Sequence, residues 1–157
     1  MRAGDLAAVM DIAAVVHPDL PEKVEVFAER LALFPRGCLV LEGANGVEGY
    51  VVAHPWRALS IPHLDSLIGQ LPRQEDTRYI HDLALLPGAR AKRAGSDIVD
   101  RLANEARADG VPSLSLVAVY GSVPFWRRQG FAAVATTELT ARLLNYGPGA
   151  TFMVQPL

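Results

Sequence analysis

Apolar positions along the chain recur with two periods, one typical of helices and one typical of strands. Helical spacing covers about 5–16 and 22–33, where apolar side chains recur every three or four residues. Two β-rich runs, 38–42 and 47–53, flank Asn45-Gly46, a dipeptide that favours a hairpin turn. The pattern therefore predicts two helices followed by a β-hairpin.

The rest of the chain alternates strands with helices. Apolar runs predict four further strands, at 79–86, 113–120, 132–135 and 150–154. The pattern also predicts three helices, over 98–106 with Ser96 or Asp97 as the N-cap, over 125–129 and over 138–144. Residues 54–78 are irregular and proline-rich, which is typical of a binding loop. This order predicts one α/β domain, 1–157, in which helices cover a mixed sheet.

A basic turn joins the strand at 79–86 to the helix that follows it. The turn runs over 89–95 and carries Arg90, Lys92 and Arg93 among alanines, ending at Gly95. Backbone amides at a helix N-terminus point outward and the helix dipole favours negative charge there, so nearby basic side chains add to the attraction. The turn therefore predicts a site for a ligand that carries phosphate.

Composition narrows the class of protein. Half of the 157 residues are hydrophobic, a fifth are charged and the net charge is -2, which indicates a globular chain and argues against a nucleic-acid partner. The apolar N-terminal stretch is interrupted by Asp5 and Asp11 and lacks a cleavage pattern, so we expect no membrane partner and a cytoplasmic location. Cys38, the only cysteine, lies in an apolar run and is expected to fill the core. The histidines have no metal-ligand spacing, so no metal is expected.

Two segments carry a resemblance to a known family. The turn reads Arg90-Ala91-Lys92-Arg93-Ala94-Gly95-Ser96, and a later segment reads Phe125-Trp126-Arg127-Arg128-Gln129-Gly130-Phe131. The first is similar to the acetyl-CoA motif of the GNAT (Gcn5-related) N-acetyltransferases: Arg or Gln, two residues, Gly, one residue, then Gly or Ala. The second is similar to that family's late motif, usually Phe-Tyr-Glu-Lys-x-Gly-Phe. With the element order, the chain resembles this family over nearly its whole length.

The resemblance implies a fold, a ligand and an acceptor. The fold is a mixed, mostly antiparallel sheet flanked by helices, in which the family's fourth and fifth strands, here 79–86 and 113–120, splay to hold the cofactor. The ligand is acetyl-CoA, with its pyrophosphate on the turn and its pantetheine amides paired with the first of these strands. The acceptor is a small-molecule or peptide amine. The residues implied in cofactor binding are Leu83, Ala84, Leu85, Arg90, Ala91, Lys92, Arg93, Ala94, Gly95, Ser96, Ser122, Phe125, Trp126 and Arg128. Ser122 is also a candidate N-cap, and Arg128 is equally compatible with a solvated helix face.

Two residues depart from the family pattern. Arg93 stands where the family usually has its first glycine, and we expect right-handed backbone geometry there because arginine disfavours positive φ. Trp126 stands where many members have a tyrosine that protonates the departing thiolate. Indole N–H has no useful acidity, so Trp126 is expected to be a wall for the pantetheine or acetyl group.

Three residues are candidates for catalysis. His81 and Asp82 lie mid-strand beside the expected thioester, and strand alternation predicts that only one of the two faces the slot. Tyr120 carries a hydroxyl near the predicted helix that contains Trp126. It is the candidate for the acid that protonates the departing thiolate. Each also has a structural interpretation: a core histidine, a hydrogen-bonded aspartate and a strand-end tyrosine.

The sequence thus predicts an acetyl-CoA-dependent N-acetyltransferase that acts on a primary amine by direct attack. Transfer of a different acyl group, a non-catalytic acyl-CoA-binding module and an unrelated nucleotide binder are the alternatives. The sequence leaves open whether the chain is a monomer or a homodimer.

Overall fold

The computed structural model describes residues 1–90 and 93–157 and folds them around one six-stranded sheet. In chain order the strands are β1 Cys38–Gly43, β2 Gly46–Trp56, β3 Thr77–Leu85, β4 Ser113–Ala118, β5 Ala132–Ala133 and β6 Thr151–Pro156. The α-helices are α1 Leu6–Val16, α2 Val24–Leu33, α3 Pro87–Arg90, α4 Ala94–Ala108, α5 Val123–Arg128 and α6 Thr137–Leu143, with short 3-10 turns at Ala3–Asp5, Pro35–Gly37 and Leu144–Tyr146.

The sheet has the order β1-β2-β3-β4-β6-β5. Its neighbouring strands are antiparallel except for β3 and β4, which are parallel. This arrangement confirms the predicted α/β class and the mixed, mostly antiparallel sheet. The predicted hairpin is also observed, with its turn at Asn45-Gly46 between β1 and β2. Gly46 has a φ of 112°, which glycine adopts without strain.

Helices cover both faces of the sheet. On one face α1 and α2 bury Val9, Ile12 and Phe27 against Tyr50 and Val52 of β2. On the other face, α4 buries a stripe at helical spacing against the sheet, formed by Val99, Leu102, Ala103 and Ala106. The stripe is as predicted, but α4 begins at Ala94 with Arg93 as its N-cap residue, so Ser96 and Asp97 are not the cap.

β3 and β4 pair over only three residues. Arg78, Tyr79 and Ile80 face Leu114, Ser115 and Leu116, and beyond Ile80 the two strands separate. β3 runs on to Leu85 with β2 on its other side, so its edge toward β4 is open over 81–85. The predicted splay of these two strands is therefore confirmed.

β3 also carries a bulge immediately after its last pair with β4. Ala53 pairs with Ile80 and Val52 pairs with Asp82, which leaves His81 as an extra residue without a partner on β2. A bulge cancels one step of the side-chain alternation, so both His81 and Asp82 face α1 and α2. The prediction that only one of the two faces the slot was wrong for this reason.

The remaining elements differ from the sequence predictions mainly at their ends. β2 reaches Trp56 and β3 begins at Thr77, so the irregular insertion is shorter than predicted and covers 57–76. In the part of the chain that the structure describes, no helix has the length and apolar character needed to cross a membrane.

Candidate active site

A cavity of about 620 Å³ lies where β3 and β4 separate. Its walls come from β3, the end of β4, the loop between α1 and α2, the first turn of α4, and α5. Two sets of polar side chains line it. One set is basic and surrounds the start of α4, and the other is a titratable cluster on β3 and the α1–α2 loop.

The basic set contains Arg90 and Arg93, both exposed to solvent. Arg90 ends α3 and donates from Nε to the Leu85 carbonyl at 2.9 Å. Arg93 has left-handed backbone geometry, with φ 58°, so the expectation of right-handed geometry was wrong. Its carbonyl accepts from the amides of Ser96 at 2.8 Å and Asp97 at 3.0 Å, which closes the first turn of α4 and holds Arg93 in this conformation.

The first turn of α4 approaches α5 closely at Gly95. A Cβ on Gly95 would lie 3.2 Å from Phe125 Cζ and 3.4 Å from Leu85 Cδ1, so a side chain there would press on two cavity residues. Ser96 lines the cavity beside it, whereas Ala94 lines a separate groove against β1 and β2. Two predicted residues of this turn, Ala91 and Lys92, lie outside the described residues.

The predicted strand and helix residues divide between the cavity and the core. Leu83 and Leu85 line the cavity, but the Ala84 side chain is buried on the α1–α2 side of the sheet. At the open edge of β3, Ala84 can therefore contact a ligand only through its backbone. From the helix, the predicted residues Ser122, Phe125, Trp126 and Arg128 all line the cavity.

Trp126 is a buried wall of the cavity, with 7% of its surface exposed. Its indole makes edge-on contacts with the rings of Phe125 at 4.9 Å and Phe131 at 5.3 Å between centroids. Ser122 is the N-cap residue of α5, as predicted, although its side chain makes no capping hydrogen bond. Nothing on Trp126 can return a proton, so any acid at this wall must come from elsewhere.

The titratable cluster consists of two crossed carboxylate–imidazole pairs. His17 Nε2 lies 2.8 Å from Asp82 Oδ1, and Glu22 Oε2 lies 2.8 Å from His81 Nε2. His17 and Glu22 belong to the α1–α2 loop, whereas Asp82 and His81 belong to β3. All four line the cavity. The bulge makes the crossing possible because it brings adjacent residues of β3 to the same side.

Asp82 is the most tightly held member of the cluster. Tyr50 donates its hydroxyl to Asp82 Oδ2 at 2.5 Å, so both carboxylate oxygens have partners. Burial by itself raises the pKa of Asp82, but the contacts with His17 and Tyr50 outweigh it and hold that pKa below its usual range. Burial likewise lowers the pKa of His17, but the Asp82 carboxylate outweighs it and raises that pKa above its ordinary value. Both pKa shifts favour the charged form of the group, against the effect of burial.

Tyr120 closes the cluster from the end of β4. It has left-handed backbone geometry, with φ 50°, and its ring stacks on His17 at 5.7 Å between centroids. Its hydroxyl accepts from the Asp19 amide at 3.0 Å, and half of its surface is exposed. The structure thus brings all three predicted catalytic residues, His81, Asp82 and Tyr120, to one cavity.

The insertion 57–76 forms another part of the wall and is tied to α2. Glu29 accepts from the amides of Ile68 at 2.8 Å and Gly69 at 2.9 Å. Glu22 accepts from the Asp65 amide at 2.8 Å through its second oxygen, Oε1. Glu22 therefore links the insertion to β3, and neighbouring Leu64 lines the cavity.

Sequence reasoning missed several cavity residues. They share no motif and come from separate segments: His17, Leu20, Glu22, Leu64 and Tyr146. The only signal in the sequence was an unexplained histidine beside a proline between two predicted helices. A signal of this kind does not show that the loop meets a distant strand. Glu22 and His81, for example, are separated by 59 residues in the sequence.

The comparison with protein families gives one match, which covers most of the chain. The model of the Acetyltransferase (GNAT) family matches residues 6–131. No curated protein matches the sequence.

Solved structures with the same fold match nearly the full chain. GphF, a GNAT-like decarboxylase in complex with isobutyryl-CoA, matches with a TM-score of 0.78 at 18% identity, covering 99% of this chain and 96% of that one. Ard1 from Thermoplasma volcanium matches with a TM-score of 0.73 at 15% identity, covering 100% and 94%. The ribosomal-protein-S18-alanine N-acetyltransferase from Escherichia coli matches with a TM-score of 0.66 at 17% identity, covering 99% and 90%. At these identities the likeness is one of fold.

Proposed function

The chain belongs to the GNAT acetyltransferase family, and we propose that it transfers an acetyl group from acetyl-CoA to a primary amine by direct attack. One observation carries the proposal: a single cavity at the splay of β3 and β4 combines a basic helix start with a titratable cluster. The first suits a phosphorylated ligand and the second suits proton transfer to and from an amine.

The residues at the start of α4 fit the coenzyme A part of the ligand. Arg90, Arg93 and Ser96 offer positive charge and a hydroxyl beside the N-terminus of a 15-residue helix, and in the sequence Ala91 and Lys92 stand between Arg90 and Arg93. Gly95 keeps this approach open, since a Cβ there would crowd Phe125. We propose that the pyrophosphate binds here.

The open edge of β3 fits the pantetheine arm. Within the described residues, 81–85 has no strand partner on the β4 side, so the backbone N–H and C=O groups that point to that side can pair with the two amides of pantetheine, except the Leu85 carbonyl, which accepts from Arg90. Leu83 and Leu85 supply apolar surface, and Phe125 and Trp126 form the facing wall. Solved structures of the same fold include complexes with isobutyryl-CoA and with coenzyme A, which supports a ligand of this class.

The chemistry follows from the cluster. Acetyl-CoA, when bound, supplies the electrophilic thioester carbonyl. We propose that His81 and Asp82 both serve the amine, one by taking its proton and the other by holding the site in shape, and that Tyr120 returns a proton to sulfur in place of the tyrosine absent at Trp126. The acceptor is a small-molecule or peptide amine, a proposal supported by solved structures of the same fold: an N-acetylglutamate synthase complexed with coenzyme A and N-acetyl-glutamate, and the NatC complex bound to Gag peptide and CoA. We propose that the reaction takes place in the cytoplasm.

A second candidate is decarboxylation of an acyl-CoA that carries a carboxyl group. Trp126 is the observation that favours it, because this reaction leaves the C–S bond intact and needs no acid for a departing thiolate. The relative with the highest TM-score among those described above is a GNAT-like decarboxylase.

The test is a binding measurement followed by two activity measurements. Calorimetry with coenzyme A, acetyl-CoA, ATP and NAD should show tight binding of the first two only. Thiol release from acetyl-CoA with a panel of amines and N-terminal peptides should then show turnover, and malonyl-CoA should give no carbon dioxide. Binding with no turnover on any amine would refute the transferase and favour a non-catalytic acyl-CoA module, whereas carbon dioxide release would favour the decarboxylase. ATP or NAD bound as tightly as coenzyme A would refute all three.

A further inference from the structure

Both crossed pairs of the cluster leave an imidazole nitrogen without a hydrogen-bond partner in the described part of the chain, but the one on His17, Nδ1, is buried. In the His17–Asp82 pair the carboxylate is fully engaged, with Oδ1 on His17 and Oδ2 on Tyr50. In the Glu22–His81 pair the carboxylate is also fully engaged, with Oε2 on His81 and Oε1 on the Asp65 amide. Every carboxylate oxygen of the two pairs thus has a partner, and a proton placed on either carboxylate would weaken the contacts that hold the cluster together.

His81 keeps one ring nitrogen for a ligand. Its Nε2 lies 2.8 Å from Glu22, and its Nδ1 makes no hydrogen bond within the part of the chain that the structure describes. Only 4% of the His81 side chain and 7% of the Glu22 side chain are exposed, so the contact between them is shielded from water. His81 nevertheless lines the cavity, between Leu83 and the α1–α2 loop.

A buried carboxylate that accepts from one imidazole nitrogen fixes the tautomer of the ring. The proton stays on the nitrogen that faces the carboxylate, and the lone pair is left on the other nitrogen. For Glu22 Oε2 to accept from His81 Nε2, the proton has to lie on Nε2 and the lone pair on Nδ1. The same carboxylate also stabilises the ring once it has taken a second proton.

On the strength of the function proposed above, we propose that His81 Nδ1 accepts the proton of the acceptor amine and that Glu22 is the positioning residue that fixes the His81 tautomer. The ammonium gives one proton to Nδ1, and the neutral amine then attacks the thioester carbonyl. The C–N bond forms and the C–S bond breaks, Tyr120 gives its hydroxyl proton to the sulfur, and Tyr120 then regains a proton from the nitrogen. The products are the amide, the thiol and one proton on His81, which leaves to solvent.

This assignment gives Asp82 a different role from the one expected from the sequence. Its contacts with His17 and Tyr50 connect the α1–α2 loop, β2 and β3, so it holds the loop in place over the cavity. The groups that face His81 from its neighbours are Glu22 from the loop, Asp82 from β3, and the rings of His54 on β2 and Phe27 on α2. Among these, Glu22 is the one in contact with an imidazole nitrogen of His81.

The test combines a tautomer measurement with kinetics. In the wild-type chain, ¹⁵N–¹H correlation spectra of labelled histidine should show His81 with its proton on Nε2. Glu22→Gln should give a mixture of tautomers, because an amide both donates and accepts. It should also lower kcat by about 10- to 100-fold, as loss of an orienting carboxylate does elsewhere, with KM for acetyl-CoA unchanged. His81→Ala should lower kcat by about 100-fold or more.

Asp65→Asn is the matched control. It removes the charge that faces Lys23 but keeps the Asp65 backbone amide on Glu22, so the insertion is perturbed while the Glu22–His81 contact is intact. Wild-type kcat and tautomer are expected. A wild-type kcat in Glu22→Gln, or a His81 proton on Nδ1 in the wild-type chain, would overturn the assignment. Absence of turnover in the wild type, with coenzyme A bound, would overturn the proposed function and the role of Nδ1 with it, while the tautomer would still decide the role of Glu22.

Discussion

The buried pair of His17 and Asp82 makes a prediction about stability that does not depend on the substrate. Asp82→Asn removes the charge but keeps an oxygen for the Tyr50 hydroxyl, and His17→Gln removes the imidazole. The His17 side chain is only 16% exposed and the Asp82 side chain only 12%, so solvent weakly screens the attraction between them. A hydrogen bond between charged groups is worth about 1.5–3 kcal/mol. We expect a double-mutant cycle to give a coupling energy of about 2 kcal/mol near pH 6.

The dependence of this coupling on pH has a definite sign. The pKa of His17 is raised in the folded chain, so its contribution is fully present below the ordinary value of about 6.5 and is lost as pH rises through the folded pKa. The pKa of Asp82 is lowered, so its contribution is present above about 3.9 and is lost as pH falls through the folded pKa. The coupling should therefore be largest between about pH 4 and pH 6.5 and smaller at pH 9.

Urea unfolding of the wild type, the two single variants and the double variant at pH 6 and pH 9 measures the coupling energy. With a urea m-value of about 2 kcal/mol/M, a loss of 2 kcal/mol lowers the midpoint by about 1 M. The exposed pair of Lys23 and Asp65, in which the Lys23 side chain is 75% exposed, is the control, and its cycle should give less than about 0.5 kcal/mol. A His17–Asp82 coupling as small as the control at pH 6, or one that grows toward pH 9, would refute the reasoning.

Three further variants test the proposed chemistry and the ligand site. Asp82→Asn should lower turnover by about tenfold or more while the Kd for coenzyme A measured by calorimetry stays unchanged, and wild-type rates would remove Asp82 from the mechanism. Tyr120→Phe keeps the ring on His17 but loses the hydroxyl, so turnover should fall by about tenfold or more at constant coenzyme A affinity, and an unchanged rate would leave thiolate protonation to another group. Arg93→Gly should raise the free energy of unfolding by about 1 kcal/mol, because glycine accepts φ 58° without strain, yet weaken coenzyme A binding by several-fold; tighter binding would contradict a phosphate contact.

Periodicity was sufficient to predict the elements and much of the fold. The stripe of Val99, Leu102 and Ala106 indicates the buried face of α4 from spacing alone, and Asn45-Gly46 indicates the hairpin. These features depend on short-range preferences, which a single sequence displays directly. The splay of β3 and β4 came from the resemblance to a family and not from the pattern of apolar residues.

The details of the candidate site were not available from the sequence, because they depend on contacts between distant segments. Arg93 adopts a geometry that its residue type disfavours, since two amides of α4 bond to its carbonyl. The partners of His81 and Asp82 lie in the α1–α2 loop, and no local pattern indicates that Glu22 and His17 meet β3. The alternation of side chains between the two faces of the sheet holds for most of β3. It fails at the bulge, where β3 has one residue more than β2.

The bulge at His81 connects the architecture of the sheet to the chemistry of the site. It follows Ile80, the last residue of β3 that pairs with β4, so the sheet opens and its side-chain alternation changes at the same point. Without the extra residue, either His81 or Asp82 would face α4 and lose its partner on the α1–α2 loop. With it, one short segment presents an imidazole and a carboxylate side by side, next to an open backbone edge. The residue that breaks the strand's regularity is thus the one we propose for proton transfer.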